Sequence, residues 1–87
     1  MNFLIAWVLL GHEYVELKNS HAAAEMYRRA LEIDPNDYRS WHGLGQVYEL
    51  TESFSYALYY FHKAAAIKPY DPRIWLAIGV CYDKLQR

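Results

Sequence analysis

Tryptophan recurs as Trp7, Trp41 and Trp75, and both intervals are 34 residues. The same interval separates Gly11, Gly45 and Gly79, and also Tyr14, Tyr48 and Tyr82. Leu10, Leu44 and Ile78 keep it with one conservative change. So do the pairs Ala23 and Ala57, Ala30 and Ala64, Pro35 and Pro69, and the aromatic pair Tyr27 and Phe61. Laying residues 4–37 on 38–71 gives nine identities. A fixed period of 20–50 residues marks a repeat array, in which each unit buries its apolar face only on its neighbours. The reading is one domain over residues 1–87. It holds a first repeat at 4–37, a second at 38–71, and the first helix of a third at 72–87.

Each repeat reads as two helices. Trp41, Leu44, Gly45 and Tyr48 stand at i, i+3, i+4 and i+7, which is one face of a helix. Ala57, Phe61 and Ala64 form the facing stripe on the next helix. The small residues Gly45, Ala57 and Ala64 let the two backbones approach, and Trp41, Tyr48 and Phe61 fill the space around them. Helix breakers fall between copies, at Asp34-Pro35-Asn36-Asp37 and Pro69-Tyr70-Asp71-Pro72. Asp71 is suited to cap a helix with Pro72 at its first position, and Asp37 is suited to the same role one copy earlier. The pattern predicts an all-α chain with helices over 3–17, 20–33, 38–51, 54–67 and 72–86.

Trp-x-x-Leu-Gly-x-x-Tyr at 7–14 and 41–48, with its Ile variant at 75–82, resembles the tetratricopeptide repeat. Ala23, Tyr27, Ala30 and Pro35 complete the pattern in the first copy; Ala57, Phe61, Ala64 and Pro69 complete it in the second. The resemblance implies helix-turn-helix units stacked as a right-handed α-solenoid with a concave inner groove. Residues 11–19, 38–46 and 57–61 are similar to the carboxy-terminal repeats of a scaffold subunit of the anaphase-promoting complex, a ubiquitin ligase of cell division. That narrower resemblance implies a fragment of a longer chain, a nuclear and cytoplasmic location, and partners that are neighbouring subunits or a co-activator segment.

In tetratricopeptide arrays the groove is lined by the first helix of each repeat. Here that face carries His12 and Glu16, then Arg39, His42, Gln46 and Glu49, then Arg73 and Asp83. Ile5, Val8, Leu76 and Val80 occupy matching rows. These donors, acceptors and apolar edges suit an extended or helical peptide. The grip that co-chaperone repeats apply to a terminal carboxylate needs converging cations and amides. Its slots hold Val8, His12, Gly43, Arg73 and Ala77, of which only Arg73 is basic.

Other chemistries find little support. Nine Lys and Arg against ten Asp and Glu provide no cationic surplus for nucleic acid. His12, His21, His42 and His62 have no metal-ligand spacing, so neither a metal nor a cofactor is expected. Cys81, the single cysteine, falls in a packing slot equivalent to Val47 and Glu13. The apolar run from Phe3 to Leu10 is shorter than a membrane span and lacks the flanks of a secretory signal. The titratable groups are scattered along faces, which argues against an enzyme.

The expected function is therefore a protein-interaction scaffold. The competing readings are a truncated or engineered repeat module without its own ligand, and a generic peptide-binding adaptor. Self-association is expected through the end helices. Phe3, Ala6, Leu9 and Leu17 line one end, and Trp75, Ile78 and Tyr82 the other, with Ile74, Ala77, Cys81 and Leu85 packing inward.

Overall fold

The computed structural model describes residues 3–87. Five helices follow in order: α1 (Leu4–Glu16), α2 (Ser20–Ile33), α3 (Tyr38–Leu50), α4 (Phe54–Ile67) and α5 (Pro72–Leu85). No strand occurs among the described residues. The predicted helices all form, with ends within one residue of expectation. Consecutive helices pack antiparallel into a slab of 45 × 27 × 17 Å. The α3–α4 and α1–α2 pairs share the most extensive contacts, and α1 also touches α3 across one side. The molecule is an all-α helical-repeat solenoid.

The turns repeat along with the helices. Lys18 and Glu52 are 34 residues apart, and both adopt left-handed backbone, with φ of 59° and 60°. Each reverses the chain after a helix end, where glycine is the usual residue. Asn19 caps α2, its side chain accepting from the Ala22 N–H at 3.2 Å. Asp71 caps α5 as expected, accepting from the Arg73 N–H at 3.0 Å beside Pro72.

Asp37 departs from expectation. Its carboxylate makes no cap bond to the α3 backbone; it accepts from the Ser40 hydroxyl at 2.6 Å and from Arg39 Nε at 3.1 Å. Ser40 is fully buried, so its hydroxyl needs a partner inside, and Asp37 is the acceptor within reach.

Tryptophan ties each such loop to the helix that follows. Trp41 Nε1 donates to the Pro35 carbonyl and Trp75 Nε1 to the Pro69 carbonyl, both at 2.7 Å.

Two apolar clusters form the core. Ala23, Ala24 and Tyr27 of α2 meet Leu44 and Val47 of α3. Ala57, Phe61, Ala64 and Ala65 of α4 meet Ile74, Ile78 and Cys81 of α5. Full burial of a side chain such as Phe61 contributes about 1.5–3 kcal/mol. The glycines permit the close approach: a Cβ on Gly45 would lie 2.5 Å from the Phe61 ring, and one on Gly11 would lie 2.6 Å from the Tyr27 ring. Gly43, outside the repeat signature, is also pressed against Tyr27.

The end helices require corrections. Ile78 does not point outward; it is buried with Ile74 and Cys81 against α4, at i, i+4 and i+7. Leu85, assigned inward, is exposed. Trp75 and Tyr82 are half exposed, and nothing lies within 4 Å of a Cβ on Gly79 between them. At the other end Phe3, Ala6, Leu9 and Leu17 are exposed as expected, and Leu10 joins them. Leu10 differs from its counterparts Leu44 and Ile78 because those two pack on the helix that precedes them in the chain.

Candidate peptide-binding groove

The first helix of each pair lines one side of the slab. His12 on α1, Arg39, His42 and Gln46 on α3, and Arg73 on α5 converge there around two adjoining recesses. Tyr38 and Asp71 help line the first recess; Val15, Glu16 and Tyr27 help line the second, of about 340 Å³. A third recess continues along the same face over Gln46, Glu49, Phe61, Leu76, Ala77 and Val80. Seven of the eight residues picked from the sequence therefore share one surface. Asp83 does not reach these recesses and pairs with Arg87 at 3.0 Å. Val8, assigned to a groove row, is buried.

The charges on this face are largely pre-paired. Arg73 donates through Nε and Nη2 to the Asp71 carboxylate at 3.2 and 2.9 Å. That pair, with the backbone bond from the Arg73 N–H, holds the Asp71 carboxyl down to about 2. Arg39 is held by Asp37 through a single contact, Nε to Oδ1 at 3.1 Å. His42 lies 5.4 Å from the Phe61 ring, centroid to centroid. Burial pushes its imidazole pKa below the usual value, Arg73 and His12 push the same way, and Asp71 opposes them. Burial raises the Glu49 carboxyl. The result is a groove rich in neutral donors and acceptors with few free charges.

Sequence reasoning missed Tyr38, Asp71 and Tyr27 as groove residues. Asp71 belongs to a cap and Tyr27 to the core stripe, so neither carries the helical spacing by which the others were found. Away from the groove, the rings of Tyr56, Tyr48, Tyr60 and Trp41 stack in succession, neighbouring centroids 5.2–5.9 Å apart. Arg28 Nη2 donates to the Tyr48 hydroxyl at 3.2 Å. Tyr60 is half-buried in this stack, while Tyr56 and Tyr59 are exposed.

Stacked helix pairs with a polar inner face define a protein-interaction module of the helical-repeat class. Tetratricopeptide repeat family models match residues 4–37 and 26–62, and the chain belongs to that family. The Cell division cycle protein 27 homolog of Caenorhabditis elegans is 46% identical over 46 residues, covering 53% of this chain. Tetratricopeptide repeat protein 37 of Xenopus laevis is 43% identical over 44 residues, covering 51% of this chain. Superkiller protein 3 of Saccharomyces cerevisiae is 40% identical over 40 residues, covering 46% of this chain. The matched stretch is only 6% of the first relative's length and 3% of each of the others.

No helix among the described residues is long and apolar enough to cross a membrane.

Proposed function

We propose that the chain is a non-catalytic scaffold module that holds an extended segment of a partner protein along His12, Glu16, Arg39, His42, Gln46, Glu49 and Arg73. The observation that carries this reading is the convergence of three separate helices on one lined face. The neutral, pre-paired character of that face suits the backbone and polar side chains of a peptide rather than nucleic acid. Two full repeats at 4–37 and 38–71 and the first helix of a third at 72–87 supply this face. Alanine at His42 or Gln46 weakens peptide binding, and the Gln46 variant leaves the melting temperature unchanged. Ligand-induced NMR shifts confined to the Tyr56–Tyr60 surface would overturn the assignment.

At finer grain, the module belongs to a tetratricopeptide subunit of the anaphase-promoting complex, working inside the cell in nucleus and cytoplasm. The resemblance at 11–19, 38–46 and 57–61 points to its eighth subunit, and the similarity to a cell division cycle protein supports a role in division. A second reading is favoured by the similarity to Superkiller protein 3: membership of a Superkiller-type complex. Immobilised protein incubated with mitotic extract distinguishes them by the subunits recovered. Recovery of neither set in a groove-dependent manner leaves a generic adaptor.

A further inference from the structure

A second surface lies outside the groove. Tyr48 and Gln46 are two residues apart on α3, about 200° around its axis, so Tyr48 projects on the side away from the groove. The second helices of the repeats meet it there. From α4 come Tyr56 and Tyr60, which stack on the Tyr48 ring, and from α2 comes Arg28, which donates to the Tyr48 hydroxyl. A recess of about 330 Å³ adjoins the stack, with buried Ala24 and Val47 at its floor and His21, Arg28 and Tyr48 among its walls.

Two cations flank this stack, and comparison of the repeats shows that packing does not call for their charge. At the next contact between repeats, 34 residues on, His62 Nε2 lies 3.3 Å from the Tyr82 hydroxyl in the place that Arg28 takes toward Tyr48. An imidazole serves that contact, so a guanidinium is more than it needs. In the first repeat Arg29 lies 5.3 Å over the Trp7 ring and is paired with Glu25 at 3.4 Å. In the second, Lys63 lies 5.9 Å over the Trp41 ring, and Tyr59 stands where the acid stood. Lys63 rests 5.5 Å over the Tyr59 ring instead. Among the described residues neither Arg28 nor Lys63 has an acidic partner, although Glu32 is one turn beyond Arg28 on α2.

We propose that this outer face, built on α2 and α4, docks an acidic segment of a partner protein, one apolar side chain of which fills the recess over Ala24 and Val47. Charge complementarity selects the occupant. Cations held against neutral rings keep their charge available, and an arriving acid displaces no partner from them. Arginine and tyrosine are the residues that enrich the core of protein interfaces. Arg28 bonds Tyr48 and Lys63 covers Trp41, two residues seven apart on α3, so the cations stand on the order of 10 Å apart. That is the span of about three residues of extended chain. The fitting segment therefore carries two acidic residues three apart, with the apolar residue at the Arg28 end. The site does not depend on the groove reading.

The test uses pools of fluorescein-labelled decapeptides with a fixed Leu and, beside it, two positions three apart fixed as Glu, Gln or Lys; binding is read by anisotropy. The native protein is expected to favour the Glu pool, and added salt to weaken it. Arg28→His keeps the side chain that serves at Tyr82 and removes the permanent charge. Tyr59→Glu gives Lys63 the acidic partner that Arg29 has in the first repeat. Each should bind the Glu pool about threefold more weakly and leave the Gln pool unchanged. Lys63→Gln, a change at an exposed side chain, should do the same without loss of folding. Gln46→Ala, in the groove, should leave the Glu pool unaffected. Equal affinity of the native protein for the three pools, including none for any, overturns the site. Weakening by Gln46→Ala in place of Arg28→His and Lys63→Gln also overturns it, because the acid then lies in the groove.

Discussion

At the scale of single residues, His42 shows how the groove constrains its own chemistry. Its imidazole is half-buried against Phe61, with Arg73 and His12 nearby. Burial is the main reason its pKa is lowered on folding. The unfolded chain takes up this proton near the ordinary value of about 6.5, and the folded protein resists it. The contribution of His42 to stability is therefore full above about pH 6.5 and declines as pH falls from there toward the folded value. His42→Gln should flatten that decline. Urea unfolding of both forms at pH 7.5 and pH 5.5 checks it, and an identical pH dependence would show that the groove does not resist the charge.

The equivalent glycines of α1, α3 and α5 look identical in sequence, yet their helices place them in different surroundings. Gly45→Leu drives a side chain into the Phe61 ring, which is fully buried and has nowhere to move. Overpacking of that kind costs about 1–3 kcal/mol. Gly79→Ala meets no atom within 4 Å, so the gain in helix propensity of about 1 kcal/mol is expected to dominate. Thermal melts should move in opposite directions, by roughly 4–8 °C per kcal/mol for a domain of this size. The turns offer a comparable test. Glu52 holds a left-handed backbone with φ of 60°. Glu52→Gly relieves that strain and should stabilise by up to about 1 kcal/mol, visible as a raised urea midpoint without a change in slope.

For the whole molecule, the notable surface is the outer side of α5. Trp75 and Tyr82 are each about half exposed, at 48% and 47%, on either side of the open Gly79. Large aromatic rings flanking a small residue allow two helices to approach closely. Self-association across this face is the expected consequence, and a two-fold pairing of α5 helices would close it. Light scattering over a concentration series should show mass rising above 10.3 kDa. Trp75→Glu should return it to the monomer, whereas association through Phe3 and Leu9 would survive that change.

The 34-residue period made the fold legible before any coordinates. Trp41, Leu44, Gly45 and Tyr48 share a face because the helix period dictates it, and Pro35 and Pro69 mark the breaks because proline cannot continue a helix. Seven groove residues were legible for the same reason, as rows on one face of α1, α3 and α5. Local periodicity says nothing about which face meets which neighbour, and the misreadings follow from that. Ile78 and Leu85 were exchanged between the inner and outer faces of α5, because the rotation of a helix about its axis is set by its packing partner. Asp37 looked like a cap, and buried Ser40 claimed its carboxylate instead. Tyr27 looked like pure core, and it also lines a groove recess because Gly11 and Gly43, 32 positions apart in the chain, both leave room for its ring. Contacts that join distant positions depend on how the helices pack, and no local spacing encodes them.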